Sequence, residues 1–244
     1  MISSFAGRSL ATLFTLPGIK GARPLLQRAI ELDGGLAEAY AWLAITFHFG
    51  YFYHGEPAEE NEPIAKAMAA KAVSLDPENA DAHIILGYLR AYDGQLSEGV
   101  AQFERGLRLN PNHAHGWAML SDLRVFEGKQ EEAIACVHNG IRLDPRPGGD
   151  WYWLLGFAEY AAGHYEAAVA ALRHPEAIGA GRRRILAASL AQLGQLDDAR
   201  QEAGQFLAEF PAFSAEKWAS TQPFRFEEDR QHFVDGYVKA GLPE

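Results

Sequence analysis

The side chains best suited to chemistry are nine histidines, one cysteine and a few paired acids, and their spacing decides what they can do. His113 and His115 stand two apart, but no Cys or acid cluster accompanies them as a metal site requires, so turn polarity is their expected role. Glu131 with Glu132, and Asp197 with Asp198, are neighbours in the chain. A general acid and base must face each other across a cleft, and adjacent acids do not. Each pair begins a predicted helix, where negative charge suits the N-terminal dipole. Cys136 is alone, so the chain can form no internal disulfide or cysteine metal cluster, and a small core residue is expected there. Arg182, Arg183 and Arg184 form the one compact basic run, which reads as a solvated helix face. The sequence has no GxxxxGK[ST], HExxH or GxSxG, and no GxGxxG follows a predicted strand. No catalytic, cofactor or metal site is expected, and the chain is not expected to be an enzyme.

Composition narrows the classes further. The chain has 244 residues, 48% of them hydrophobic, which suffices for a large core. Its formal net charge of −10 argues against nucleic acid, because phosphate binding needs clustered Lys and Arg. No stretch approaches the ~20 apolar residues of a membrane span, so no membrane partner is expected. A single cysteine fits a reducing compartment, and a cytoplasmic location follows as an expectation. Residues 1–21, with a short apolar run from Leu10 to Leu16, read as a partial helix, with a targeting stub as the second reading.

The elements that position these residues come from an internal repeat. Pro77, Pro111 and Pro145 are 34 residues apart, and each ends a run of one pattern: Leu75-Asp76-Pro77, Leu109-Asn110-Pro111, Leu143-Asp144-Pro145. Gly94, Gly128, Gly163 and Gly194 recur at intervals of 34, 35 and 31. Large and small residues alternate within each unit, as in Trp117, Leu120 and Ser121 followed by Ala133, Val137 and Gly140. Small residues let two helices approach and large ones fill the facing holes. Gly supplies the left-handed turn that ends a first helix, and Pro stops the second. Each helix pair alone leaves an apolar face bare, so neighbours must stack.

This pattern resembles the tetratricopeptide-repeat (TPR) family across residues 22–213. The resemblance implies an all-α, right-handed α-solenoid of about five helix pairs. Residues 214–244 are read as a capping segment, with Phe233, Val234, Tyr237 and Val238 striping a helix over the last repeat. Three departures stand out. The first full repeat carries roughly nine extra residues within 48–61, holding Phe49, Tyr51, Phe52, Tyr53 and His54. They form either a longer first helix with packed rings or a partner-contact loop. Pro175 should cut short the second helix of the fourth repeat. Residues 1–21 match only half a unit.

In the family, the first helix of each pair lines a concave groove. Carried over, the resemblance places Ile84, Tyr88 and Tyr92 there from one repeat, and His115, Asp122 and Phe126 from the next. Asp150, Trp153, Phe157 and Tyr160 follow. Such an aromatic surface suits a protein or peptide partner, docked as an extended segment or an amphipathic helix. One TPR subclass grips a terminal carboxylate with Lys, Arg and Asn; the corresponding places here hold Ile84, Tyr88, Ala118 and Asp122, which does not fit that mode. The endings Gln222–Asp229 and Phe233–Glu244 further resemble the C-terminal TPR region of bacterial signalling proteins built around class III adenylate or guanylate cyclase domains. That resemblance implies a regulatory adaptor in bacterial signalling. A cyclase fragment and a self-associating structural module are the alternatives; the oligomeric state is left open.

Overall fold

A computed structural model describes residues 2–12, 15–144, 146–177 and 181–244. Pro145, part of the apolar run at residues 13–14, and Ala180 lie outside the described residues. Among those described there are fourteen α-helices and no strand. They are α1 Ile2–Ala11, α2 Leu16–Leu32, α3 Ala37–His54, α4 Ala58–Leu75, α5 Ala80–Tyr92, α6 Leu96–Leu109 and α7 Ala114–Phe126. The others are α8 Gln130–Leu143, α9 Gly149–Ala161, α10 Tyr165–Leu172, α11 Arg182–Gln192, α12 Leu196–Glu209, α13 Ala215–Ser220 and α14 Glu227–Lys239. The chain forms two compact units, Met1–Gly116 and Trp117–Glu244.

In the first unit α1 packs on α2, α3 on α4, and α5 on α6. Residues 1–21 therefore hold a whole helix and the start of another, where half a unit was expected. The α5–α6 pair shows why glycine recurs. A Cβ on Gly87 would lie 2.5 Å from the Gly99 carbonyl oxygen and 2.6 Å from the Phe103 amide nitrogen. The two helices touch backbone to backbone, and no side chain fits between them. Phe103, one turn beyond Gly99, is fully buried beside this contact.

The turns obey local chemistry. Gly94, Gly128, Gly163 and Gly194 all adopt φ between 76° and 80°, the left-handed region a side chain disfavours. The Asp or Asn before each proline position has its own task. Its Oδ1 accepts the amide two residues on, Asp76 from Glu78 at 3.0 Å and Asn110 from Asn112 at 3.2 Å. Asp33 to Gly35 and Asp144 to Arg146 repeat the bond. These are Asx turns, which close the second helix before the next begins.

The extra residues of the first full repeat lengthen its helices. α3 and α4 have 18 residues each, against 13 and 14 in α5 and α6, and only Gly55 to Pro57 separate them. Glu56 is tied to Arg23 of α2 at 2.7 Å. In the second unit α10 is only 8 residues long and stops before Pro175. α14 packs on α11, α13 and α9. The Ala215 amide donates to the Pro243 carbonyl oxygen at 2.8 Å, closing the chain end onto α13.

Candidate functional site

In the first unit, the extra length of α3 brings its aromatic end against α5. His48 is buried among Phe49, Tyr51, Phe52, Tyr88 and Tyr92, stacking on Phe52 at 5.3 Å between centroids. Burial holds its imidazole down at about 3, so it is a neutral ring at neutral pH. Tyr51 meets His48 Nδ1 at 2.9 Å, and its phenol is pushed up to about 12, by burial first and then by the charge of Glu62. The hydroxyls of Tyr53, Tyr88 and Tyr92 converge, with separations of 3.3 to 3.5 Å. Phe52, Tyr53 and Tyr92 keep an exposed edge, while Tyr88 is buried beneath them. The result is a face of rings tipped with phenol oxygens, able to stack on apolar groups and to exchange hydrogen bonds with a peptide backbone.

Ile84 does not join this face. It sits in the core, where its side chain lies 2.7 Å from the Cβ position of Gly106 and 2.8 Å from that of Gly116. His115 is half-buried beside Trp42, and desolvation first, with the nearby charge of Arg8, pushes it down to about 3. His113 is a structural residue. Its Nδ1 accepts the Gly116 amide at 2.8 Å, capping α7, and its Nε2–H donates to Asp81 Oδ1 at 2.8 Å. Desolvation opposes the Asp81 charge, but the His113 bond and nearby cations prevail and lower its pKa. Among the described residues no group of three His, Cys, Asp or Glu comes together as a metal site.

In the second unit, the chain's own C-terminal segment occupies much of the face where a groove was expected. Phe126, Phe157 and Tyr160 are 1%, 2% and 0% exposed. The Arg225 amide donates to the Phe126 carbonyl oxygen at 2.8 Å, and the Phe224 ring meets Phe126 edge-on at 4.9 Å. Phe233 packs on Phe157 at 5.0 Å and on Tyr160 at 5.1 Å. The Tyr160 hydroxyl donates to the His232 carbonyl oxygen, His232 Nε2–H donates to that of Tyr160, both at 3.2 Å, and their rings stack. Gln130 donates to Asp229 at 2.9 Å. These contacts extend well beyond a cap on the last repeat, reaching the end of α7 and the start of α8. Asp122 is buried in α7.

Asp150 and Trp153, one turn apart on α9, have a different character. Asp150 is buried and its Oδ2 has no hydrogen-bond partner; burial pushes its carboxyl up to about 7. Trp153 is half-buried, stacks on Phe157 at 5.7 Å, and its Nε1–H is buried without an acceptor.

Of the expected groove residues, Tyr88 and Tyr92 share one face, Phe126, Phe157 and Tyr160 lie under the C-terminal segment, and Ile84 is core. The sequence offered the rings at 49–53 as either a longer first helix with packed rings or a partner-contact loop, and gave no sign of the central place of His48 or of the return of Phe224. The available signal was helical spacing: His48, Tyr51 and Phe52 stand three and four residues apart on one face of α3.

No family model matches the chain, and no curated protein matches it. Solved structures do. PilF of Pseudomonas aeruginosa is 18% identical, with a TM-score of 0.54 over 86% of this chain and 93% of that one. PilW, described as a widely conserved type IV pilus biogenesis factor, is 16% identical, with a TM-score of 0.59 over 87% and 96%. TTC0263, a thermophilic TPR protein of Thermus thermophilus, is also 16% identical, with a TM-score of 0.58 over 83% and 99%. At this identity the likeness is one of fold. Together with the 34-residue period and the left-handed glycines, it shows that the chain has the all-α fold of a TPR solenoid.

Proposed function

We propose that this chain is a protein-interaction scaffold that docks a peptide or an amphipathic helix on the ring-lined face of α3 and α5. The observation that carries this reading is the cluster of Phe52, Tyr53, Tyr88 and Tyr92, whose rings are held by one another and whose hydroxyls converge. Rigid aromatic anchors lose little entropy on binding and supply much of the affinity at interfaces. The TPR fold of the neighbours supports a scaffold role in general. The resemblance of the chain's ending to bacterial cyclase-like signalling proteins favours a regulatory role, and the single cysteine favours a cytoplasmic site of action. Cyclase turnover itself would need a mixed α/β domain, and no strand occurs among the described residues. No helix among them is long and apolar enough to cross a membrane.

The test is selection of random displayed peptides on the full-length chain, followed by titration of a selected synthetic peptide. Tyr92→Ala and Phe52→Ala should each weaken binding about tenfold, the loss typical of an anchor residue. Unchanged affinity in both variants would mean the docking face lies elsewhere.

A further inference from the structure

One segment of the second unit is held as a peptide ligand would be. Residues 221–226 join α13 to α14 outside any helix. They cross the end of α7 in step with it: Phe224 meets Phe126, Arg225 meets Glu127, and Phe226 meets Gly128. The Phe224 ring stands edge-on to Phe126, and the Arg225 amide donates to the Phe126 carbonyl oxygen at 2.8 Å. The Arg225 guanidinium lies 3.4 Å from Glu127 Oε1. A Cβ on Gly128 would lie 2.7 Å from the Phe226 ring.

The seat is particular to this repeat. Gly55, Gly94 and Gly194 share the left-handed φ of Gly128, yet among the described residues nothing stands within 4 Å of a Cβ placed on them. The chemistry of the seat is complementary to its occupant. The last carbonyls of a helix lack internal partners, and the helix dipole favours a cation there. Phe126 closes α7, so its carbonyl is free for the Arg225 amide. Glu127 is buried, with Oε2 engaged by Arg124 and by Lys129, and turns Oε1 to Arg225. The hold is nevertheless shallow. Phe226 is 44% exposed and Arg225 is exposed, whereas Phe233 and Tyr237, which seat α14, are almost fully buried.

We infer that the end of α7 is a receptor for an extended partner peptide carrying arginine between two aromatic residues, and that residues 224–226 fill it in cis until such a peptide displaces them. The acidic Glu127 and the negative end of α7 select the guanidinium, and the Phe126 ring and the bare Gly128 backbone receive the two rings. A tethered segment acts at an effective concentration in the millimolar range, so the strap is a standing competitor that weak ligands do not overcome. The receptor lies on α7 and not on α3 or α5, so it stands or falls separately from the proposed docking face.

Two measurements on the full-length chain test this. Hydrogen exchange of the unaltered chain compares the Arg225 amide with those of Phe233 and Tyr237. Arg225 should exchange at least about 100-fold faster, because the strap opens while α14 stays docked. An Arg225 amide as protected as those two would tie the strap to unfolding of the whole unit and overturn the inference. The second measurement empties the seat with Phe224→Ser, Arg225→Ser and Phe226→Ser together, leaving Phe233 and Tyr237 in place. The synthetic peptide of residues 222–228 is titrated into this 15N-labelled variant and into the parent, and the Gly128 amide resonance is followed. A saturable shift is expected in the variant, with half-saturation on the order of a millimolar and at least about tenfold below that of the parent. Citrulline at the Arg225 position of the peptide should weaken binding about fivefold. No saturable shift in the folded variant, equal affinity for both chains, or undiminished binding of the citrulline peptide overturns the inference. Self-association of the variant in place of peptide binding, read by sedimentation, does so too. The exchange comparison decides the matter even where the variant fails to fold.

Discussion

The docking of α14 on α9 gives a sharp test of how the second unit is held together. Gly236 faces Tyr160 so closely that a Cβ there would lie 2.9 Å from Tyr160 Cζ, with Oη nearer still, and 3.4 Å from the Ala188 Cβ. Phe233 and Tyr237 hold the same helix from either side, both almost fully buried, so α14 cannot simply lift away. Gly236→Ala should therefore cost about 3 kcal/mol, the upper end of overpacking penalties. Tyr160→Phe removes the oxygen that would clash and also the hydrogen bond to the His232 carbonyl oxygen, a loss of about 1 kcal/mol. The double variant should be more stable than the sum of the two losses predicts, by about 1–2 kcal/mol, because the phenyl ring relieves part of the overlap. Urea unfolding followed by tryptophan fluorescence measures the cycle, with slopes compared to confirm that the same surface is exposed. Additivity within about 0.5 kcal/mol, or a Gly236→Ala chain as stable as the parent, would refute the packing described.

Glycine substitutions separate close approach from composition. Gly87→Ala should destabilise by about 3 kcal/mol or more, since its methyl would meet the α6 backbone, which cannot rotate away. Gly204→Ala meets nothing within 4 Å and should stabilise by about 0.5–1 kcal/mol; chemical denaturation reads both. Asp150 sets a pH dependence. Folded, its carboxyl holds a proton up to about 7, whereas its ordinary value is 3.8. The folded chain binds the extra proton between those values, so stability falls as pH rises through that window, by up to about 4 kcal/mol. Asp150→Asn should flatten that slope in urea midpoints measured from about pH 4 to pH 8. Asp81 acts in the opposite sense. Its lowered pKa stabilises the fold above its ordinary value and the benefit is lost as the solution becomes more acidic, so Asp81→Asn should cost stability at neutral pH and lessen acid unfolding.

What the sequence disclosed and what it hid follow from the range of the interactions. Gly94, Gly128, Gly163 and Gly194 announce their turns because a left-handed backbone is a local demand that one residue type meets best. Asp76 and Asn110 are equally legible, since an Asx turn closes within three residues. Pro175 ends α10 for the same local reason. The first helix was harder to read. α1 lacks an acidic first turn, and the glycine that packs it on α2, Gly7, faces Leu26 many residues away. The groove was the least legible part. A helical position reads as exposed until its cover is known, and the cover of Phe126, Phe157 and Tyr160 arrives from Phe224, Phe233 and His232, far along the chain. Ile84 reads as an exposed first-helix position, yet Gly106 and Gly116 draw their helices onto it. The aromatic face of α3 was visible as a run of rings, but only the pairing of the long α3 with α5 sets Phe52 and Tyr53 against Tyr92.

A partner docked on the face of α3 and α5, as proposed, must perturb the residues that it covers. The most direct measurement is the amide and side-chain NMR map of the full-length chain titrated with a peptide selected on it. The largest shifts should fall on Phe52, Tyr53, Tyr88 and Tyr92, with α4 and α6 little changed. Shifts centred on α4 or α6, with the tyrosine signals unmoved at saturation, would contradict it.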